Sequence, residues 1–431
     1  MKTRSRSTKP VTLVICIVLL AVSVGAAKEK PQAEKWIATW GAPIGFLQSP
    51  PLPSIPGLPQ MAASGFENQT VRMVARISMG GSRFRIRLTN AFGNPAVTID
   101  AVHAAIQTKG SAINPQSDRA VSFGGKPSVV LLPGVEMFSD PFELKAPELT
   151  HLAISLFIAG KAGASTVQPN GSVISYVPAN PGDLTAAPDF EKPTSWRAYY
   201  WLSGIDVVGS QKASTIVAVG DSITAAGNDE DWPAVLATRL AADKRTRNLA
   251  VVNMGIAGNR VLSEGMGSST LGRFERHVLA QSGVRWIILL EGINDIGIAS
   301  LPPGESKAMP FSLPPFPGGT LDSSAIINGY RQIIAKAHSH NIKVMGCTIL
   351  PYKGANYYRE NMAKVRQEVN QWIRTSDAFD AVADFDAAVR DSVDPEKIRD
   401  DMHRGDHLHP NAIGEKAMAD AINLSVFGQE R

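Results

Sequence analysis

The sequence predicts an α/β domain with a five-stranded parallel sheet and helices on both faces, preceded by an antiparallel β-sandwich domain. Three observations carry this reading. Over residues 210–430 short apolar runs alternate with helical patterns, the signature of β-α units. Over residues 34–206 short alternating runs are separated by Gly, Pro, Asn and Asp, and no long segment of helical period interrupts them. Residues 1–27 belong to neither pattern. At 431 residues, 44% hydrophobic and 19% charged, the chain is long enough for two domains with full cores.

In the leader, Lys2, Arg4, Arg6 and Lys9 precede a continuous apolar run from Val11 to Val24, and Gly25-Ala26-Ala27 follows. This is a signal peptide pattern, and the mature protein is expected to be secreted or periplasmic. The alternative, an uncleaved anchor, is disfavoured because the run is short for a full span, so no stable membrane insertion is expected after cleavage. Cys16 lies inside the apolar run and does not look like a lipid-attachment site. After cleavage only Cys347 remains, which leaves no intrachain disulfide. Cleavage also removes four Lys or Arg and no acid, taking the formal charge from +4 to zero. With no basic cluster beyond residue 28, nucleic acid is not expected as a partner. Oligomeric state leaves no mark in the sequence.

The first domain opens with Trp36 and Trp40 and a loop too rich in proline for helix or central strand, Ser49 to Pro59. Strands are expected at Val71 to Ser78, Arg83 to Thr89, Val97 to Ile106, Ser128 to Leu132, Leu152 to Ile158 and Ser172 to Val177. In the second run Arg83, Arg85 and Arg87 alternate with Phe84, Ile86 and Leu88, which reads as a solvated cationic sheet face rather than an anion site. Asn68-Gln69-Thr70 and Asn170-Gly171-Ser172 match the glycosylation acceptor pattern, and neither is assigned a role. The domain's own task is open between support for the second domain and, by fold-level analogy, carbohydrate binding.

In the second domain, strands are expected at Ile216 to Val219, Leu249 to Asn253, Trp286 to Leu290, Lys343 to Leu350 and Ala381 to Phe385. Helices are expected at Asp231 to Leu240, Leu271 to Ala280, Ser323 to His338, Arg359 to Arg374 and Asn411 to Leu424. The first strand ends in Gly220-Asp221-Ser222, which presents the Ser222 hydroxyl at the carboxyl end of the sheet, where open α/β sheets bind ligands. Gly258 follows the second strand, Asn294 the third, and Asp406 with His409 the fifth, so all of them fall at one edge.

A serine hydroxyl needs a base to take its proton, and imidazole suits that at neutral pH. Ser222 is the candidate nucleophile and His409 the candidate base, held just before a helix by Pro410. Asp406, three residues earlier, can reach the other ring nitrogen and set its tautomer. The amides of Ser222 and Gly258 and the side-chain amide of Asn294 are candidate oxyanion donors. Taken singly, Asn294-Asp295 could be a helix cap and Gly255 and Gly258 ordinary turn glycines. His403, His407 and His409 form no spacing of a metal site, so neither metal nor cofactor is expected. His403 and His407 read as solvated loop residues, and His103, His151, His277, His338 and His340 carry no signal.

Four blocks together resemble the SGNH hydrolases, or GDSL esterases and lipases: Gly220-Asp221-Ser222-Ile223-Thr224, Gly258 within Asn253 to Asn259, Gly292-Ile293-Asn294-Asp295, and Asp406-His407-Leu408-His409-Pro410. The resemblance covers about residues 212 to 425. It implies a flavodoxin-like sheet, a Ser222–His409–Asp406 triad and oxyanion donors Ser222, Gly258 and Asn294. It extends more loosely to a secreted subgroup with an all-β domain in front. The α/β-hydrolase elbow fails, since it wants Gly where Thr224 stands. The expected activity is hydrolysis of carboxylic esters with short acyl groups through an acyl-enzyme on Ser222, on a small-molecule or glycan ester. Alternatives are a polysaccharide O-acetyl esterase and a non-catalytic glycan-binding protein. An insertion rich in Pro and apolar residues, Leu301 to Gly319, either walls the substrate pocket or rests on the first domain.

Overall fold

The run Ile216 to Val219 has no polar side chain to offer water, and it becomes the centre of a parallel sheet. The computed structural model describes residues 33–46, 63–164, 166–169, 174–225, 229–265, 267–299 and 321–428. The leader, the proline-rich loop, the second glycosylation pattern and the 301–319 insertion lie outside them. Five strands, β1 (Ser214–Gly220), β2 (Leu249–Gly255), β3 (Val284–Leu290), β4 (Lys343–Cys347) and β5 (Ala381–Ala383), pair in parallel in the order β2-β1-β3-β4-β5. Every residue of β1 is buried. This is the flavodoxin order, and its switch point lies at the end of β1, with β2 on one side and β3 on the other.

The helices are α1 (Trp232–Ala242), α2 (Thr270–Phe274, continued by a π turn at Glu275–Leu279), α3 (Ile293–Ala299), α4 (Ser323–Ser339), α5 (Glu360–Thr375), α6 (Phe385–Val389) and α7 (Ala412–Asp420). Asp231 caps α1 by accepting the Ala234 amide at 2.8 Å, with a proline in the first turn. The chain moves one way from β1 to β2 and the other way through β3, β4 and β5. With right-handed crossovers this puts helices on both faces; accordingly α1 packs with α7, and α4 with α2 and α5. Several predicted ends shift: the fourth strand stops at Cys347 rather than Leu350, the fifth stops at Ala383 and α6 begins at Phe385, and α7 stops at Asp420 with a 3-10 turn following at Leu424–Gly428.

Residues ahead of β1 form two main antiparallel sheets. One joins Lys35–Gly41, Leu202–Gly209, Gly81–Thr89 and Glu136–Phe138, with Phe142–Ala146 also on Gly81–Thr89. The other is built on Gly65–Arg76, His151–Gly163 and Ala101–Lys109. Phe84, Ile86, Leu88 and Val207 of the first sheet share one core with Val71, Met73, Ile154 and Leu156 of the second, which makes a sandwich. The strands Lys35–Gly41 and Leu202–Gly209 were not among those expected.

The arginine face of Gly81–Thr89 corrects the expectation of a solvated surface. Arg87 is 1% exposed and donates to the Ala280 carbonyl at 3.2 Å and to the Gln281 side chain. Arg85 pairs with the buried Asp206 at 2.9 Å, lies over the Trp36 and Phe138 rings, and reaches Ser282 Oγ at 3.3 Å. Alternation marks two faces of a strand without saying which one meets water. Here the face is covered at Arg85 and Arg87 by the turn before β3, while Arg83 at its far end stays partly exposed and pairs with Glu143. Strand Lys35–Gly41 lies along the β2 side of the parallel sheet, where Ala38 donates to Ser282 O at 2.9 Å and Thr215 Oγ1 donates to Ala38 O at 3.0 Å. Lys35–Arg431 accordingly forms one compact unit.

Candidate active site

Ser222 sits on the turn that closes β1. The turn is tight because Asp221 Oδ1 accepts the Ile223 amide at 2.9 Å and the Asp221 carbonyl accepts the amides of Thr224 and Ala225. Gly220 is required: a Cβ there would overlap the Thr224 hydroxyl and the Leu290 carbonyl. Across the edge, His409 Nε2 lies 2.9 Å from Ser222 Oγ, and His409 Nδ1 lies 2.6 Å from Asp406 Oδ2. An N–H at Nδ1 donating to the carboxylate leaves Nε2 free to accept the serine hydroxyl, the arrangement in which imidazole can take that proton.

Asp406 Oδ1 also accepts the amides of Leu408 and His409 at 3.0 and 2.9 Å. Burial alone would raise its pKa, but the hydrogen bonds from the His409 ring and from those amides outweigh it and hold the carboxyl well below the usual range. It stays ionised wherever His409 is neutral.

Gly258 follows β2 with φ +72°, a conformation that suits glycine, and Asn294 lies in the first turn of α3. Asn294 Nδ2 donates to Asn259 O at 3.0 Å, which ties the α3 turn to the Gly258 loop, and its second hydrogen has no acceptor among the described residues. Among the described residues neither the Ser222 nor the Gly258 amide has a hydrogen-bond acceptor. The structure therefore brings together Ser222, His409 and Asp406, with Gly258 and Asn294 in the segments that follow the two strands flanking β1. Neither Asn294 nor Asp295 serves as a helix cap. Instead, Asp295 accepts the amides of Val261 and Leu262 at 2.8 and 3.2 Å, fastening the loop beyond Gly258.

Beneath these groups lies a buried charge cluster that the sequence did not disclose. Arg273 on α2 donates to Met254 O at 2.6 Å, Gly220 O at 3.2 Å and Asn259 Oδ1 at 2.9 Å, joining the ends of β1 and β2 to the Gly258 loop. Burial lowers its pKa to about 10. Around it, burial raises the carboxyls of Asp221 and Glu291, and raises Asp295 to about 6. Glu291 directly follows a buried strand, and a charge at that place was the available signal. Arg273 gave none, since one arginine in a short amphipathic stretch reads as solvent-facing.

His403 also departs from expectation. It is 8% exposed, packed against His407, and not solvated. Asp400, His403 and His407 can bring one ligand atom each within 4.8 Å of one another. However, His403 Nδ1 accepts two backbone amides, from Gly405 and His407, so the neutral ring carries its hydrogen on Nε2, the nitrogen 3.9 Å from Asp400. That tautomer suits a folded turn rather than a cation.

A serine, a histidine and an aspartate at the switch point of a flavodoxin-order sheet define the SGNH class of carboxylic ester hydrolases. Residues 218–417, a little under half of the chain, match the GDSL-like lipase/acylhydrolase family, so the chain carries a GDSL-like acylhydrolase domain. No curated protein sequence matches it. Among solved structures it is similar to an acetylxylan esterase from Geobacillus stearothermophilus, at 20% identity over 52% of this chain and 97% of that one, with a TM-score of 0.39. A GDSL-like lipase from Bacteroides thetaiotaomicron is 17% identical over 51% and 90%, with a TM-score of 0.36. An α/β hydrolase enzyme from the metagenome of Lake Arreo is 19% identical over 50% and 95%, with a TM-score of 0.37.

Proposed function

We propose that the protein is an exported serine esterase that hydrolyses short-chain carboxylic esters through an acyl-enzyme on Ser222, with His409 as general base and Asp406 as its orienting carboxylate. The observation that carries this is the continuous chain of contacts Ser222 Oγ to His409 Nε2 at 2.9 Å and His409 Nδ1 to Asp406 at 2.6 Å. Ser222 Oγ attacks the ester carbonyl while its proton passes to Nε2. The carbonyl oxygen, now anionic, is received by the amides of Ser222 and Gly258 and the free hydrogen of Asn294 Nδ2. The C–O bond to the alcohol breaks, and the leaving alkoxide takes the proton back from His409. Water then repeats the sequence on the acyl-serine, releasing the carboxylic acid and restoring Ser222.

The test uses a chromogenic acetate or butyrate ester together with fluorophosphonate labelling. Wild type should turn over the ester and be labelled; Ser222→Ala should do neither. A Ser222→Ala variant as active as wild type ends the proposal. Export rests on the leader pattern, and a mature amino terminus near residue 28 in the exported fraction supports it; full-length protein retained in the cytoplasm contradicts it.

A second reading, an O-acetyl esterase acting on glycans, is favoured by one cavity. It has a volume of about 320 Å³, lies between the sandwich and the parallel sheet, and extends to Gly255 and to Ala225, three residues past Ser222. Its volume falls at the lower end of small-molecule sites, about 300–1,000 Å³. Ser222 is not on its wall, so it would serve the alcohol side of a substrate rather than the acyl group. Trp40, Tyr176 and Tyr199 supply ring surfaces there, and Arg76, Asp229 and Asn253 supply polar ones, a mixture suited to a sugar's apolar faces and hydroxyls. Trp40→Ala should slow acetate release from acetylated xylan and leave a chromogenic acetate unaffected. Equal effects on both substrates count against this reading.

A further inference from the structure

The segment that carries Asp406 and His409 is folded around a third histidine. His403 is more than nine-tenths buried. Its Nδ1 lies 3.0 Å from the Gly405 amide and 3.3 Å from the His407 amide, the two amides that bracket Asp406. Both are donors, so this nitrogen must hold a lone pair. The turn they close is an unfavourable one. His407 has φ +58°, a left-handed conformation that is unfavourable for a non-glycine residue, and Gly405 stands at φ +92°. The base of the loop is closed separately, by the Arg404 amide to His409 O at 2.9 Å and by Asn411 Nδ2 to His403 O at 3.3 Å. Those bonds fix where the loop starts and ends. The His403 ring fixes the path between, where the Asp406 carboxylate is aimed.

We propose that His403 is a positioning residue: its neutral imidazole, by accepting the amides of Gly405 and His407, holds the left-handed turn that points Asp406 at His409. The proposal rests on the Ser222–His409–Asp406 reading above. His403 touches no reacting atom and acts only through Asp406.

Three variants assayed on a chromogenic acetate separate this role from simple space filling. His403→Asn keeps an acceptor at the position of Nδ1, whereas His403→Phe fills the volume without one. A displaced catalytic group can cost on the order of a hundredfold, so His403→Phe should lower kcat about 10- to 100-fold with KM changed less than about threefold. His403→Asn should recover most of that loss. If the Phe variant does not fold, as judged by its melting transition, His403→Leu takes its place in the comparison. The third variant places the Phe substitution in an Asp406→Asn background. Because His403 acts through Asp406, the two losses should not add, and the double variant should fall less than about threefold below Asp406→Asn alone. A Phe variant with wild-type kcat, an Asn variant no better than Phe, or fully additive losses each overturn the proposal. The triad reading fails separately: it falls if Asp406→Asn itself is fully active, whatever His403 does.

Discussion

Glu415 offers a prediction whose size and sign both follow from its surroundings. It sits on α7, 2% exposed, and its Oε2 accepts the Trp232 amide at the start of α1 at 2.9 Å. The Arg404 guanidinium stands 3.7 Å from Oε1, too far for a hydrogen bond. Burial, and then the like charge of Asp231 at the α1 cap, raise the Glu415 carboxyl from 4.5 to about 8. An acid whose pKa is raised on folding holds its proton more tightly in the fold. Its contribution to stability is therefore complete below about pH 4.5 and is lost as the pH rises toward 8. At about 1.4 kcal/mol per pH unit, the charged carboxylate costs roughly 3 kcal/mol at pH 7 and roughly 5 kcal/mol at pH 9. Glu415→Gln keeps an oxygen for the Trp232 amide and never ionises. Thermal or urea unfolding at pH 5, 7 and 9 should show the variant gaining on wild type by under about 1 kcal/mol, then about 3, then about 5. A difference that does not change with pH, or a variant less stable throughout, would refute the reasoning.

Two further outcomes follow from the site. Asn294→Ala should lower kcat on a short-chain ester about a hundred- to a thousandfold with little change in KM, since the lost donor serves the oxyanion and not the ground state; a KM effect alone would move Asn294 into substrate binding. Arg273→Met should destabilise the fold by about 3–5 kcal/mol in denaturant unfolding, because it strands the buried carboxyls of Asp221 and Glu291 and frees the carbonyls of Gly220 and Met254; a stable variant would mean those acids are neutral without it.

The framework of the hydrolase domain was readable because burial on both faces leaves a mark that water cannot blur. β1 is a run of apolar, partly β-branched residues ending in glycine, and once the sheet is parallel, whatever follows each strand lands at one edge. That reasoning places Ser222, Gly258, Asn294, Asp406 and His409 at one edge. Partnership left no such mark. Arg273, Arg85 and Arg87 are arginines like any other until the carbonyl, carboxylate or ring each one meets is known, and those partners lie far along the chain. His403 escaped notice because a histidine in a polar loop has the same neighbours in sequence whether its ring faces water or two backbone amides.

The same blindness to partnership bears on what the β-sandwich is for. β2 is the outer strand of the parallel sheet, and an uncovered outer strand offers unpaired backbone groups to other chains. Here the sandwich lies along that side: the Val251 amide donates to Ser78 Oγ at 2.9 Å, and strand Lys35–Gly41 packs against β2 so closely that a Cβ at Gly41 would overlap Met254. The cores interpenetrate as well, Ala38 belonging to the hydrolase core and Ala250 to that of the sandwich. Removing residues 34–206 would thus bare an apolar strand edge and leave Ser282 and Gln281 without Arg85 and Arg87. Loss of activity on such a deletion would report loss of the fold, whatever the substrate. The sandwich's part in choosing a substrate has to be read from single replacements on the cavity wall, such as Trp40→Ala, which leave that strand edge covered.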